Sequence, residues 1–178
     1  MPVANQQRSI RWLAPFTVSF VPALRSSQRT LYSGGRVGLE VHAASSIPQR
    51  RIWFERALLS NPAELRRIVT HELFHFAWIR LGNGRRREWE TLLAAEHTAG
   101  GRGELGWSAE WRKRGLQPAD VSERTRQWRE YACESFCDSA AWLLTGARPH
   151  DEVTLAPRHA RHRAAWIVHL FRETGVSI

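Results

Sequence analysis

The sequence predicts an α+β fold, and three observations carry that expectation. Strand-like segments sit in the N-terminal part of the chain, helix-period segments fill the remainder, and the period changes at one boundary, Asn61-Pro62-Ala63-Glu64. Strands first and helices after point to segregated layers, not to alternating βα units. At 178 residues, 43% apolar and 24% charged, the chain is sized for one domain with its own core, spanning residues 1–178.

Three segments read as strands. From Ile10 to Val21 and from Arg36 to Val41, β-branched and aromatic residues recur, separated by turn residues such as Ser33-Gly34-Gly35. Arg51 to Leu58 supplies a third. Together they are expected to make a small twisted sheet, antiparallel or mixed, at the N-terminal end.

The helices follow. Asn61 is a good N-cap, Pro62 suits the first helical position, and Glu64 can close a capping box. The helix is expected to run to about Leu81, with Leu65, Ile68, Val69, Leu73, Phe76 and Ile79 as its apolar positions and Gly82-Asn83-Gly84 as its stop. A charged amphipathic helix is predicted over Arg85 to His97, ended by Gly100, Gly101 and Gly103, with a loop and short helix over Glu104 to Arg114. Pro118-Ala119-Asp120 opens a long helix carried through Ser122 and Trp128 to Leu144, and Pro157 opens a last one reaching Arg172.

Composition narrows the function classes. The formal charge is +9, and Lys113 is the only lysine, so almost all of the positive charge is arginine. The basic residues come in short runs, Arg85-Arg86-Arg87, Arg112-Lys113-Arg114 and Arg158 to Arg163, expected as a solvated positive surface; phosphate binding is the secondary reading. Nine tryptophans are expected as core and surface anchors. No stretch reaches the 18 apolar residues of a membrane span, and Met1 to Arg11 has no signal-peptide pattern, so a cytoplasmic protein without membrane association is expected. Cys133 and Cys137 stand four apart, which on a helix puts them on one face as reduced, buried thiols.

The chemistry is concentrated in His71-Glu72-Leu73-Phe74-His75. Histidines at i and i+4 lie one turn apart on one helix face, so both imidazoles can reach one ion at ~2.0–2.1 Å. Glu72 falls beside the first ligand, placed to take a proton from a water whose pKa zinc lowers toward ~7. The flanking residues Ile68, Val69, Thr70, Leu73, Phe74, Phe76 and Ala77 are uncharged, so two histidines and a glutamate here need partners. The competing reading is buried histidines satisfied by hydrogen bonds alone. A catalytic zinc needs a third protein ligand and an open fourth position. Donors are available in Glu130-Tyr131-Ala132-Cys133-Glu134-Ser135-Phe136-Cys137-Asp138, where Glu130 and Glu134 share a helix face.

The pairing of His71-Glu72-Leu73-Phe74-His75 with a downstream helical acid resembles the gluzincin metallopeptidases, whose third zinc ligand is a glutamate on a later helix. In that group the ligand glutamate is followed by a bulky apolar residue at +2, a small one at +3 and an acid at +4, the pattern of Glu134, Phe136, Cys137 and Asp138. The resemblance implies a zincin-like fold with the small sheet packed on the active-site helix and a helical C-terminal half. It implies one zinc ion per chain held by His71, His75 and Glu134, with Glu72 as general base of peptide hydrolysis. Asp138 would hold the far nitrogen of His71. Glu130 remains the alternative third ligand, its +2 residue Ala132 fitting less well. In zincins the substrate lies along a sheet edge, which would be Gly38 to His42 here, pairing with a peptide by strand addition. Tyr131, His97, His159 and Tyr32 are the candidate oxyanion donors.

Two other readings stand beside this one. Thr70 to Gly82 also resembles SprT-like proteases acting on DNA-linked proteins. Their third ligand is a histidine followed by glycine, and the segment Gly106-Trp107-Ser108-Ala109-Glu110-Trp111 offers Trp107 or Ser108 instead, so His97 would have to substitute. The last reading is a catalytically inactive zincin-fold protein that binds nucleic acid or a partner protein; Glu72 argues against it, since a structural site has no use for a general base between two ligands.

Overall fold

A computed structural model describes residues 10–27, 30–33, 39–146 and 150–178. Among these residues the architecture is α+β, with small sheets mainly in the N-terminal part and six helices after them.

The strands are β1 (Ile10–Arg11), β2 (Thr17–Val21), β3 (Leu24–Ser27), β4 (Thr30–Ser33), β5 (Leu39–Glu40), β6 (Ala43–Ser46), β7 (Arg51–Glu55) and β8 (Val176–Ser177). They form three small sheets where one was expected. The order β2-β7-β6 makes a mixed sheet, with β2 parallel to β7 in the register Val18↔Ile52 and Phe20↔Phe54, and β6 antiparallel to it. The order β4-β3-β5 makes a second, antiparallel sheet, and β1 pairs in parallel with β8 at the end of the chain. Strand β7 shows why it nucleates the first sheet: Ile52 and Phe54 alternate inward while Arg51, Trp53 and Glu55 stay outside. Leu58 belongs to a 3₁₀ turn, Arg56–Ser60, and not to the strand.

The helices are α1 (Pro62–Arg80), α2 (Gly82–Thr98), α3 (Trp107–Arg114), α4 (Pro118–Ser122), α5 (Arg126–Thr145) and α6 (Pro157–Glu173). Helix α1 starts as its sequence dictates, with the Asn61 side chain accepting from the Glu64 N–H at 3.3 Å and Pro62 in the first turn. Gly82, at φ +73°, does not end a helical region but turns the corner between α1 and α2. Helix α1 is buried along most of its girth from Ile68 to Trp78, and the expected apolar position Ile79 is exposed instead.

The long helix expected over 118–144 is two helices. The Asp120 carboxylate accepts from the Gln117 N–H at 2.7 Å and from the Thr125 hydroxyl at 2.5 Å, Arg124 reverses the chain at φ +53°, and Thr125 caps α5. Local side-chain to backbone bonds of this kind compete with helix continuation.

The core lies where α1, α2, α5 and α6 meet. Phe136 is its hub, with ring centroids 5.3 Å from Trp78, 5.7 Å from Phe74 and 5.7 Å from Trp89. The Trp89 indole N–H donates to the Ala132 carbonyl at 3.0 Å, so the large ring is buried with its one polar group satisfied. Trp78, Trp89 and Trp128 are core residues, whereas Trp12, Trp107 and Trp111 are exposed.

A buried ionic cluster ties the helices around this core. Arg163 of α6 is fully enclosed, although its run in the sequence reads as solvated surface. Its guanidinium donates to Glu96 of α2 at 2.6 Å, to Glu104 at 2.5 Å and to the Ser135 hydroxyl of α5 at 2.9 Å. Glu104 also accepts from the Tyr131 hydroxyl at 2.6 Å and from Lys113 of α3 at 2.9 Å. Burial would raise the Glu104 pKa, but the adjacent Arg163 and Lys113 charges hold it below the usual carboxylate range. Gly103 admits the chain to this cluster: at φ +78° it lies so close to the Thr154 carbonyl that a Cβ would stand 2.3 Å from that oxygen. Through Glu104 and Lys113 the cluster docks α3 against α5.

Candidate metal centre

Helices α1 and α5 pack along each other, and each sets a row of polar side chains inside an otherwise apolar contact. From α1 come His71 and His75, with Glu72 next to His71 in the chain, and from α5 come Glu134 and Asp138. Within each helix, residues four apart share a face, which brings His71 over His75 and Glu134 beside Asp138.

The donor atoms converge. Glu134 Oε2 stands 3.2 Å from Nε2 of His71 and 3.8 Å from Nε2 of His75. The two imidazoles meet edge to face with centroids 4.9 Å apart. Two ligand atoms each ~2.0–2.1 Å from one ion at a tetrahedral angle are separated by about 3.3 Å. The three atoms therefore have the spacing that a single ion requires, and His71, His75 and Glu134 form one group able to hold it.

The rest of the constellation fixes these ligand atoms. Nδ1 of His71 lies 2.7 Å from Asp138 Oδ1, and the other oxygen, Oδ2, accepts from the Ala109 N–H of α3 at 3.1 Å. With Nδ1–H given to Asp138, Nε2 is the nitrogen that faces Glu134, and it carries the lone pair when the ring is neutral. Glu134 divides its oxygens in the same way, Oε2 toward the histidines and Oε1 toward Arg112 of α3 at 3.0 Å. Nδ1 of His75 faces two thiols, Cys133 and Cys137, each at 3.5 Å. Glu72 is buried at 6% exposure and pairs with no other side chain among the described residues.

Protonation follows from this geometry. Burial alone would lower both imidazole pKa values, but the carboxylates outweigh it. Asp138 and Glu134 raise His71 well above its ordinary range, and Glu134 foremost raises His75 to about 9. Burial would raise Glu134, yet His75, His71 and Arg112 bring it down to about 2. With no ion bound, the two carboxylates thus favour the charged form of both imidazoles.

No family model, curated protein or solved structure matches the chain. The centre therefore stands on its own geometry.

Several site expectations resolve differently. Glu130 does not join the donor group: it sits about 6 Å earlier along the α5 axis, is half-exposed, and pairs with Arg126 at 2.7 Å. His97, near the end of α2, belongs to neither group of donor atoms that could hold an ion among the described residues. Of the oxyanion candidates, Tyr131 is buried and donates to Glu104, His159 lies against Arg158 and Glu96, and the Tyr32 side chain falls outside the described residues. Gly38 lies outside them too; Leu39–Glu40 pair with β3, and the edge strand that packs on α1 is β6.

Arg112, the Ala109 N–H and Gly106 all come from the α3 region, whose approach to α5 depends on the Arg163 cluster. The one signal in the sequence is the run Arg112-Lys113-Arg114, which proves to be two partly buried partners and one exposed arginine in place of a uniform surface patch. Gly106 has an extended backbone, φ −175°, which any residue adopts, so its role is steric: a Cβ there would stand 2.4 Å from the Asp138 carboxyl carbon.

Proposed function

We propose that the chain is a zinc-dependent peptidase, zincin-like in fold and of the gluzincin kind, with His71, His75 and Glu134 as zinc ligands and Glu72 as general base. The observation that carries this reading is the convergence of two imidazole nitrogens and one carboxylate oxygen beside a buried glutamate that no side chain neutralises. A structural ion would use a closed set of four protein donors; three donors and a free carboxylate suit a catalytic site.

His71, His75 and Glu134 would hold the zinc, which when bound would supply Lewis-acid chemistry, lowering the pKa of a water toward ~7. The remaining work falls to the chain. Glu72 accepts the proton of the attacking water and delivers it to the leaving amine. Asp138 holds Nδ1–H of His71, so the imidazole keeps its Nε2 lone pair directed inward. Arg112 pins Oε1 of Glu134 and leaves Oε2 for the ligand role. Strand β6, which pairs with β7 alone among the described strands, also packs against α1, and an extended peptide can add to it as a further strand.

The test joins metal analysis to peptide cleavage. Purified protein should hold about one zinc per chain. Glu72→Gln should keep that zinc and lose cleavage of a peptide library by at least ~10²-fold, the scale of general acid–base contributions. A wild type that cleaves none of the library, or Glu72→Gln at wild-type rate, overturns the reading.

A further inference from the structure

Each liganding histidine has a second nitrogen to satisfy, and the two are treated differently. His71 gives Nδ1 to a single carboxylate, Asp138. Nδ1 of His75 meets two sulfurs, Cys133 and Cys137, both at 3.5 Å. One N–H needs one acceptor, so a pair of thiols exceeds what hydrogen bonding to this ring requires. Cys133 and Cys137 stand four apart on α5 and so share a face, one turn from each other, and both are free.

The spacing is that of a cation site. A thiolate sulfur at ~2.3 Å and an imidazole nitrogen at ~2.0–2.1 Å from one tetrahedral ion are separated by about 3.6 Å. Both sulfur–nitrogen distances match it, and all three donor atoms lie within 4.8 Å of one another. A set of two sulfurs and one nitrogen selects thiophilic cations, of which Cu(I) and zinc are the biological cases and Cd²⁺ a ready probe.

We infer that Cys133, Cys137 and Nδ1 of His75 form a second cation site, for a thiophilic ion, set back to back with the His71–His75–Glu134 group across one shared imidazole. Binding forms two metal–sulfur bonds and one metal–nitrogen bond, releases to solvent the protons held by the two sulfurs and by Nδ1 of His75, and changes no oxidation state. Sharing the ring makes the sites antagonistic. A neutral imidazole has one lone pair on nitrogen; coordination through Nδ1 puts its proton on Nε2, the nitrogen that faces Glu134. A thiophilic ion on the sulfur side therefore withdraws His75 from the first group, and the site acts as an inhibitory sensor for such ions. This sensing role rests on the proposed zinc reading, whereas the sulfur site itself does not.

The experiment titrates Cd²⁺ into the full chain and follows thiolate-to-metal charge-transfer absorption in the ultraviolet. Wild type and His71→Ala are expected to develop the band, Cys133→Ser to develop a weaker one, and the double variant Cys133→Ser/Cys137→Ser to develop none while its far-ultraviolet circular dichroism stays that of the wild type. A wild type without the band, or a band that survives in the double variant, overturns the inference. The parent reading fails in a different way: it requires the double variant to retain one zinc, and the same double variant carrying His71→Ala as well to lose it. Zinc held by His71→Ala but lost from the double variant would sink the peptidase centre and leave the sulfur site standing.

Discussion

Gly106→Ala isolates the part of the centre that depends on tertiary docking. The new Cβ would lie 2.4 Å from both Cγ and Oδ1 of Asp138 and 2.6 Å from Oδ2, where tolerable contacts begin at about 3.4 Å. Something must move by about 1 Å, and both candidates carry the same consequence. If Asp138 retreats, it leaves Nδ1 of His71 and the Ala109 N–H; if the start of α3 retreats, the Ala109 bond goes and Arg112 is drawn from Glu134. Overpacking of this size costs ~1–3 kcal/mol of stability, and loss of the carboxylate partner of a liganding histidine typically weakens metal binding ~10–100-fold. The assay is a zinc competition titration against a chromophoric chelator, with urea unfolding run alongside. Gly84→Ala is the control, since nothing lies within 4 Å of a Cβ built there and Gly84 sits inside α2; it should leave zinc affinity unchanged and raise stability by ~0.5–1 kcal/mol. Wild-type zinc affinity in Gly106→Ala would refute the proposed coupling of α3 to His71 through Asp138.

Further outcomes test the rest of the constellation. Glu134→Gln should lose zinc by metal analysis while Glu130→Gln, altering a half-exposed partner of Arg126, keeps it; the reverse result would move the ligand to Glu130. Arg163→Met leaves Glu96 and Glu104 buried without their common cation and should cost ~3–5 kcal/mol in urea unfolding, with much of that recovered when both glutamates become glutamine. The metal-free protein should show a definite pH signature in thermal melts. The His75 pKa is raised from 6.5 to about 9, so its contribution to stability is full below 6.5 and is lost as pH rises through 9. Glu134 is lowered from 4.5 to about 2, so its contribution is present above 4.5 and is lost as pH falls through 2. Zinc affinity runs the other way, because ions compete with protons for the imidazoles: it should climb with pH up to about 9 and be accompanied by proton release in calorimetry run in buffers of different ionisation enthalpy.

The parts of this structure legible in the sequence are those decided locally. Helix α1 announces itself through Asn61, Pro62 and Glu64, β7 through the inward alternation of Ile52 and Phe54, and α6 through Pro157. Strands β3 and β6, with sequences Leu-Arg-Ser-Ser and Ala-Ala-Ser-Ser, carry no such alternation; β6 exists because β7 supplies a ladder for it to join. The break between α4 and α5 was written in Asp120 and Thr125, both good capping residues, but an apolar period on either side masks it. At the centre, His71 and His75 follow from helical spacing alone, whereas Glu134 rested on a resemblance to a known pattern. Arg112 and Gly106 had no local signal, because their meaning depends on where α3 docks. Arg163 looks in the sequence like one more member of a basic run; only the fold reveals that Glu96 and Glu104, 67 and 59 residues away, come to meet it.

The charge arrangement of the centre explains how a buried site of this kind can exist with and without an ion in one fold. Burying two carboxylates between packed helices is costly unless they are neutralised. Arg112 supplies one positive charge to Glu134. In the metal-free protein the other compensation is protonic: His75 is raised to about 9 and His71 well above its ordinary range, which favours charged imidazoles facing Glu134 and Asp138. Binding requires neutral imidazoles, so a divalent ion entering the group displaces up to two protons. Where both protons leave, two unit charges are exchanged for one double charge, and the total charge enclosed between α1 and α5 is unchanged. The low-dielectric surroundings that would penalise an uncompensated charge therefore see a like-for-like exchange, and the helices can hold the same packing in both states. Replacing Asp138 or Glu134 by an amide removes one negative charge from both states at once, so such variants should disturb the metal-free fold as well as the metal-bound one. Glu72, which offsets neither imidazole, should be replaceable by glutamine with the melting behaviour of both states preserved.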